Sequence, residues 1–132
     1  MKTVYPIVME NVDNQIIVYI PDFEINTQGD NYAHAMEMAR DAIGIVGIDM
    51  QDDGEALPIP SALIDVSTKH QGKDVSLVDV DFIAYRRQND MRSVRRNVSL
   101  PAWLDAQASK SHVNVSAVLQ KALINELDLQ EA

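Results

Sequence analysis

Hydrophobic and polar positions alternate from the start of the chain. Val4, Pro6 and Val8 fall on one side of an extended segment and Thr3, Tyr5, Ile7 and Met9 on the other, the two-residue period of a half-buried strand. Asn11 to Asn14 interrupts this as a turn. The run QIIVYI, Gln15 to Ile20, is rich in β-branched and aromatic residues until Pro21-Asp22 stops it, so the two runs predict an antiparallel hairpin. A short third strand is expected over Glu24 to Thr27. Gly29-Asp30 then supplies turn and cap chemistry, and the period changes: Tyr32, Met36, Ala39, Ile43 and Val46 recur at helical spacing, predicting an amphipathic helix over 31–46 whose last turn Gly44 and Gly47 weaken. QDDGEALPIPS, residues 51–61, carries two prolines and a glycine and reads as a connecting loop. Leu63 to Val66 suggests a short element. Alternation returns over Val75 to Tyr85, with Val75, Leu77, Asp79, Asp81, Ile83 and Tyr85 opposite Ser76, Val78, Val80, Phe82 and Ala84, and predicts a last strand. The expected product is an α+β layer in which one helix covers one face of a sheet.

A second, shorter pattern follows. Arg95, Asn97 and Ser99 project from one face of an extended segment, and Val98 and Leu100 from the other. Pro101 ends it and suits a helix start. Trp103, Leu104 and Ala108 then fall at helical spacing over Ala102 to Ser109, Ser111 to Asn114 breaks the helix, and Ser116 is the expected N-cap of another, with Val118, Leu119, Ala122, Leu123 and Leu127 as its apolar stripe. Fewer than about 40 residues in one strand and two helices cannot bury enough surface to fold alone. A second copy is the simplest partner. Two such strands pairing antiparallel across a two-fold axis would bury Val98 and Leu100, with Trp103, Leu104, Val118, Leu119 and Leu123 completing a dimer core. The resulting ribbon fits a DNA major groove, where Arg95 suits guanine, Asn97 adenine and Ser99 either. Arg92 and Arg96, with the chain around Asn114, Val115 and Ser116 at the second helix start, are expected on phosphate.

Composition narrows the classes. The chain has 132 residues, 46% hydrophobic and 23% charged, which argues for ordered globular structure. It has no cysteine, which removes disulfides, thiolate metal sites and cysteine nucleophiles. No apolar run approaches the roughly 20 residues needed to cross a bilayer, and the cytoplasm is the expected location. Charge divides the chain: residues 1–85 hold 4 basic and 15 acidic residues, net −11, and the remainder 7 and 5, net +2. Arg86, Arg87, Arg92, Arg95 and Arg96 fall within eleven residues, opposed by Asp90. These shifts predict an acidic α+β domain over 1–85, a basic linker over 86–93 and a small domain over 94–132. The acids of the first domain suit a basic protein partner, and serve equally to keep a surface solvated.

Catalysis finds little footing. A metal-dependent nuclease needs several carboxylates converging on divalent ions. Here Asp22 and Glu24 flank a turn, Asp52 and Asp53 lie in a loop, and Asp79 and Asp81 share a strand face with no helical partner at a fixed offset. His34 with Glu37 and Asp41 could line one helix face but has no ligand from a second element. His70 lies in a polar loop and His112 before a helix cap. There is no GxSxG, HExxH, phosphate-cradling loop or dinucleotide fingerprint. No catalytic residue, metal or cofactor is expected.

The strand RNVSLP, the prolyl helix start and the second helix NVSAVLQKAL resemble the ribbon-helix-helix repressors of the Arc and MetJ type. Arg96 departs from that pattern, standing where an apolar residue is usual. Together with YPIVMEN, IIVYIPDFEINTQGD, AHAMEMARDAI and ALPIPS, the chain resembles the HicB antitoxin family over residues 3–61 and 95–129, and poorly over 62–92. The resemblance implies a partial ribonuclease-H-like antiparallel sheet with one main helix, followed by a dimeric ribbon-helix-helix. It also implies a stoichiometric function: masking HicA, a small basic mRNA-cleaving toxin, and binding operator DNA as a homodimer or higher oligomer to repress the operon. Toxin contacts are expected among Glu10, Asp22, Phe23, Glu24, Glu37 and Asp41. The alternatives are a ribbon-helix-helix regulator with a ligand-sensing first domain, and a residual metal-dependent ribonuclease.

Overall fold

The computed structural model describes residues 2–90 and 92–129. They form two compact units, Met1–Arg92 and Ser93–Ala132.

The first unit runs β1 (Lys2–Val12), β2 (Gln15–Ile20), β3 (Ile25–Gly29), α1 (Tyr32–Asp52), α2 (Leu63–Lys69), β4 (Asp74–Asp81) and α3 (Phe82–Asn89). The four strands make one antiparallel sheet in the order β3-β2-β1-β4. Val12 faces Gln15 across the hairpin, and Asp13 and Asn14 between them take φ of 53° and 64°. That left-handed pair matches strand twist, and Asp and Asn tolerate it better than other side-chain-bearing residues.

One sheet face carries Tyr5, Ile7, Met9, Ile16, Val18, Ile20, Val78 and Val80, packed with Ala35, Ala39 and Ile43 of α1 and with Phe82. Small residues bring α1 close: a Cβ on Gly29 would stand 2.3 Å from the backbone nitrogen of Ala35. The opposite face is covered in part. Pro6 and Val8 are buried, α2 lies against β1 and β4 with Val66 buried, and the Tyr19 and His70 rings stand 5.9 Å apart. β1 is therefore buried on both faces through its middle, where its alternation predicts a half-buried strand. A second helix replaces the expected single cover.

Several boundaries differ from the sequence reading. α1 continues six residues past Val46, through both glycines, because Gly44 and Gly47 are contact points: a Cβ would lie 2.5 Å from the Tyr85 ring at the first and 2.2 Å from the Phe82 ring at the second. β4 stops at Asp81 rather than Tyr85, since the Asp81 carboxylate accepts from the Ala84 N–H at 3.0 Å and starts α3. β3 begins at Ile25, one residue late, after a tight turn closed by Phe23 N–H to the Ile20 carbonyl, with Glu24 at φ 53°.

The second unit contains α4 (Ala102–Lys110) and α5 (Val115–Glu126). Ser93 to Pro101 has no strand in the single chain. The cap of α5 is Asn114, whose side chain accepts from the Ala117 N–H at 3.0 Å, and not Ser116, which lies inside the first turn. Among the described residues of this unit no side chain is buried.

Candidate functional site

The six residues expected to meet a protein partner are not gathered on one surface. Glu10 shares the sheet face of Val8, away from α1, and pairs with Lys73 at 3.4 Å, whereas Glu37 and Asp41 belong to α1 on the other side. Asp22 is half-buried and already engaged, its carboxylate accepting from both the N–H (3.0 Å) and the hydroxyl of Ser61. Phe23 packs on the core with its ring 4.8 Å from that of Tyr5 at 71°, an edge-on contact. Asp41 accepts from the Tyr85 hydroxyl at 3.0 Å. Glu24 and Glu37 remain exposed. Local spacing placed these acids on elements, but the sheet divides them.

The interactions of Asp22 and Phe23 organise a feature that spacing alone did not reveal. Between α1 and α2, the loop around Ile59 is held at both ends. The Tyr5 hydroxyl donates to the Pro58 carbonyl at 2.8 Å, and Asp22 holds Ser61. Burial pushes the Tyr5 phenol pKa up, and the nearby Asp22 charge adds to it. The available sequence signal was an isoleucine between two prolines in an otherwise acidic stretch.

Along the α1–β4–α3 seam, Arg40, Asp41, Asp79, Tyr85 and Asn89 line an open groove. Arg40 donates to the Asp79 carboxylate and backbone carbonyl, both at 3.2 Å, and Lys2 lies 3.6 Å from the same carboxylate. The Arg40 hydrogen bond holds Asp79 below the usual carboxylate range. Burial, then the bond to Asp41, pushes Tyr85 up to about 12. Among the described residues no group of three or more His, Asp or Glu is placed to hold a metal ion.

The basic stretch is not a linker throughout. Arg86 and Arg87 belong to α3, and Arg86 reaches the end of α1, donating to the Ile48 carbonyl at 3.2 Å, the Gln51 amide at 3.1 Å and Asp52 at 2.9 Å. Arg92, expected on phosphate, forks onto Asp90 with two bonds of 2.8 Å, which lowers the Asp90 pKa to about 2 and raises that of the guanidinium. Counted by unit, Met1–Arg92 holds 7 basic and 16 acidic residues and Ser93–Ala132 holds 4 and 4. The second unit is thus neutral, with Arg95 and Arg96 exposed in the segment that precedes α4.

The expected dimer core is open in the single chain. Val98, Leu100, Trp103, Leu104, Val118, Leu119 and Leu123 are each at least 36% exposed. Leu100, Leu104 and Val118 line one apolar hollow with Ala108, Val113 and Val115. Trp103 is not among its lining residues. Arg95, Asn97 and Ser99 are exposed, as are Asn114, Val115 and Ser116 at the start of α5.

Over residues 5–123 the sequence matches the HicB-like antitoxin of bacterial toxin-antitoxin systems. Among solved structures, a toxin-antitoxin complex from Streptococcus pneumoniae aligns over 96% of this chain and 99% of its own at 23% identity, with a TM-score of 0.58. The antitoxin HicB of Burkholderia pseudomallei aligns over 98% and 99% at 24% identity, TM-score 0.55. The N-terminal domain of that antitoxin aligns over 60% of this chain and 99% of its own at 21% identity, TM-score 0.54. These structural likenesses bear on the fold. Comparison with curated proteins gave no significant match. The chain belongs to the HicB antitoxin family.

Proposed function

We propose that the chain neutralises a HicA-type mRNA-cleaving toxin through its acidic first unit and, as a homodimer formed by its second unit, binds operator DNA to repress its own operon. Neutralisation is stoichiometric and needs no catalytic residue, metal or cofactor. The first unit is read as a partial ribonuclease-H-like layer kept as a binding platform, and its charge favours a basic partner. Ser93–Ala132 is read as a ribbon-helix-helix. The observation that carries this is a unit of two short helices and an irregular leading segment in which no described side chain is buried while eleven large apolar side chains stand open. Such a unit gains a core when a second copy covers Leu100, Leu104 and Val118, and Val98 joins them when the extended segments pair.

In that dimer Arg95, Asn97 and Ser99 face the major groove, and the α5 start around Asn114, Val115 and Ser116 meets phosphate. Arg96 adds a phosphate contact. Arg92 does so only by leaving Asp90.

The test is co-expression with the small basic toxin expected to be encoded beside this chain's gene, followed by operator binding by the isolated complex. Arg95→Ala or Asn97→Ala is expected to cost about 1 to 3 kcal/mol at the cognate base, with toxin binding unchanged. Loss of both activities in a folded variant would overturn the division of labour between the units.

A further inference from the structure

We propose that Ile59 is the apolar anchor with which the first unit seats on a basic toxin partner; the inference rests on reading that unit as the toxin-binding one. Ile59 is 89% exposed, more than any other large apolar side chain among the described residues of Met1–Arg92. Exposed apolar residues are common, but this one is held in place. Pro58 and Pro60 restrict the backbone on either side. Tyr5, itself 1% exposed in the core, donates to the Pro58 carbonyl, Leu57 packs on the same core, and Asp22 grips Ser61 by two hydrogen bonds. The restraint keeps Ile59 in water, at a cost in hydration that the fold does not recover. For a binding surface the same restraint is useful, because a loop whose backbone is already held loses less entropy when its side chain docks.

The surroundings specify the partner's charge. Asp53 and Glu55 precede the loop and Asp65 follows it, with no Lys or Arg in the sequence between Gln51 and Thr68, while Asp52 at the end of α1 is already paired with Arg86. Glu24 stands exposed two residues from Asp22. An apolar anchor with an acidic rim fits an apolar pocket bordered by Lys and Arg, the arrangement in which central burial supplies affinity and rim charges supply steering. Ile64, at the start of α2 five residues on, is 73% exposed as well. The occupant is therefore a basic protein surface rather than a second copy of this acidic unit, whose like charges would repel.

The experiment measures affinity by titration calorimetry between the full-length chain and the toxin encoded beside its gene, recovered from the co-expressed complex under denaturant and refolded. Ile59→Ser is expected to weaken binding by about tenfold or more with an unchanged melting temperature, and Ile59→Leu to stay near wild type. Tyr5→Phe with Ser61→Ala, which loosens the loop but keeps Ile59, is expected to show a smaller loss. Wild-type affinity in Ile59→Ser would overturn the anchor and leave the toxin-binding reading intact. No binding by the wild-type chain would overturn both. A changed sedimentation coefficient of Ile59→Ser alone would assign the anchor to self-association and overturn the proposal.

Discussion

One hydrogen atom in place of a methyl group sets how closely α1 meets α3. At Gly47 a Cβ would stand 2.2 Å from the Phe82 ring, so Gly47→Ala forces that buried ring to move. Alanine gains about 1 kcal/mol of helix propensity over glycine, and overpacking costs about 1 to 3 kcal/mol. The net expectation in urea unfolding is a destabilised Gly47→Ala, partly rescued by Phe82→Leu; a stabilised variant would mean the ring has room to yield. Tyr85, against Gly44, gives a second test at this scale. Its pKa is raised from about 10 to about 12 by burial and by Asp41, so the folded chain holds the phenolic proton more tightly than the unfolded one. The stabilisation is full below about pH 10 and lost as pH rises through about 12. Tyr85→Phe is expected to flatten that alkaline limb without abolishing it, because Tyr5 and Tyr32 are raised too. Sequence gave no access to these contacts. Tyr5 to Pro58 spans 53 positions and Asp22 to Ser61 spans 39, while period-based reading sees only neighbours within an element.

Elements were more legible where one period persisted. β2 and its hairpin with β1 follow from QIIVYI and the Asp13-Asn14 turn, and α1 follows from its apolar stripe. Reading failed where two periods fit the same few residues. Phe82, Ile83, Ala84 and Tyr85 continue the alternation of β4, yet they open α3, because the Asp81 carboxylate accepts the Ala84 N–H. That cap is expected to contribute about 0.5 to 2 kcal/mol; Asp81→Ala should lose it in denaturant titration, and Asp81→Asn should retain most of it. The Ala84 N–H holds Asp81 below the ordinary carboxylate range, so the cap contributes fully above about pH 4 and fades as pH falls through the depressed folded value. In Asp81→Ala the acid limb should be shallower. An unchanged acid limb would assign the pH dependence to other groups, with Asp79 on Arg40 the first to examine. The second-unit helices were legible within a few residues, and their cap moved from Ser116 to Asn114 because both residue types serve that role.

At the scale of the whole molecule, the charge asymmetry was readable but its boundary was not. Arg86 closes the end of α1 and Arg92 is occupied by Asp90, so both belong to the acidic unit and leave the second unit neutral. On the proposed reading, a neutral unit with an open apolar set would depend on association more than on long-range attraction to DNA. Trp103, the single tryptophan of the chain and 69% exposed, reports directly on this. If a second copy covers it, its emission shifts to the blue as chain concentration rises, in step with a doubling of mass by sedimentation equilibrium. Leu104→Asp, which puts a charge into the hollow shared with Leu100 and Val118, is expected to keep the chain monomeric and the emission red at every concentration. The first unit of that variant should still melt at the wild-type temperature, since its core cluster lies wholly within Met1–Arg92. Mass doubling with a fixed emission maximum would place Trp103 outside the interface while preserving the dimer. No doubling at any concentration would remove the second copy as the source of the missing core, and with it the paired ribbon that brings Arg95 and Asn97 to the groove.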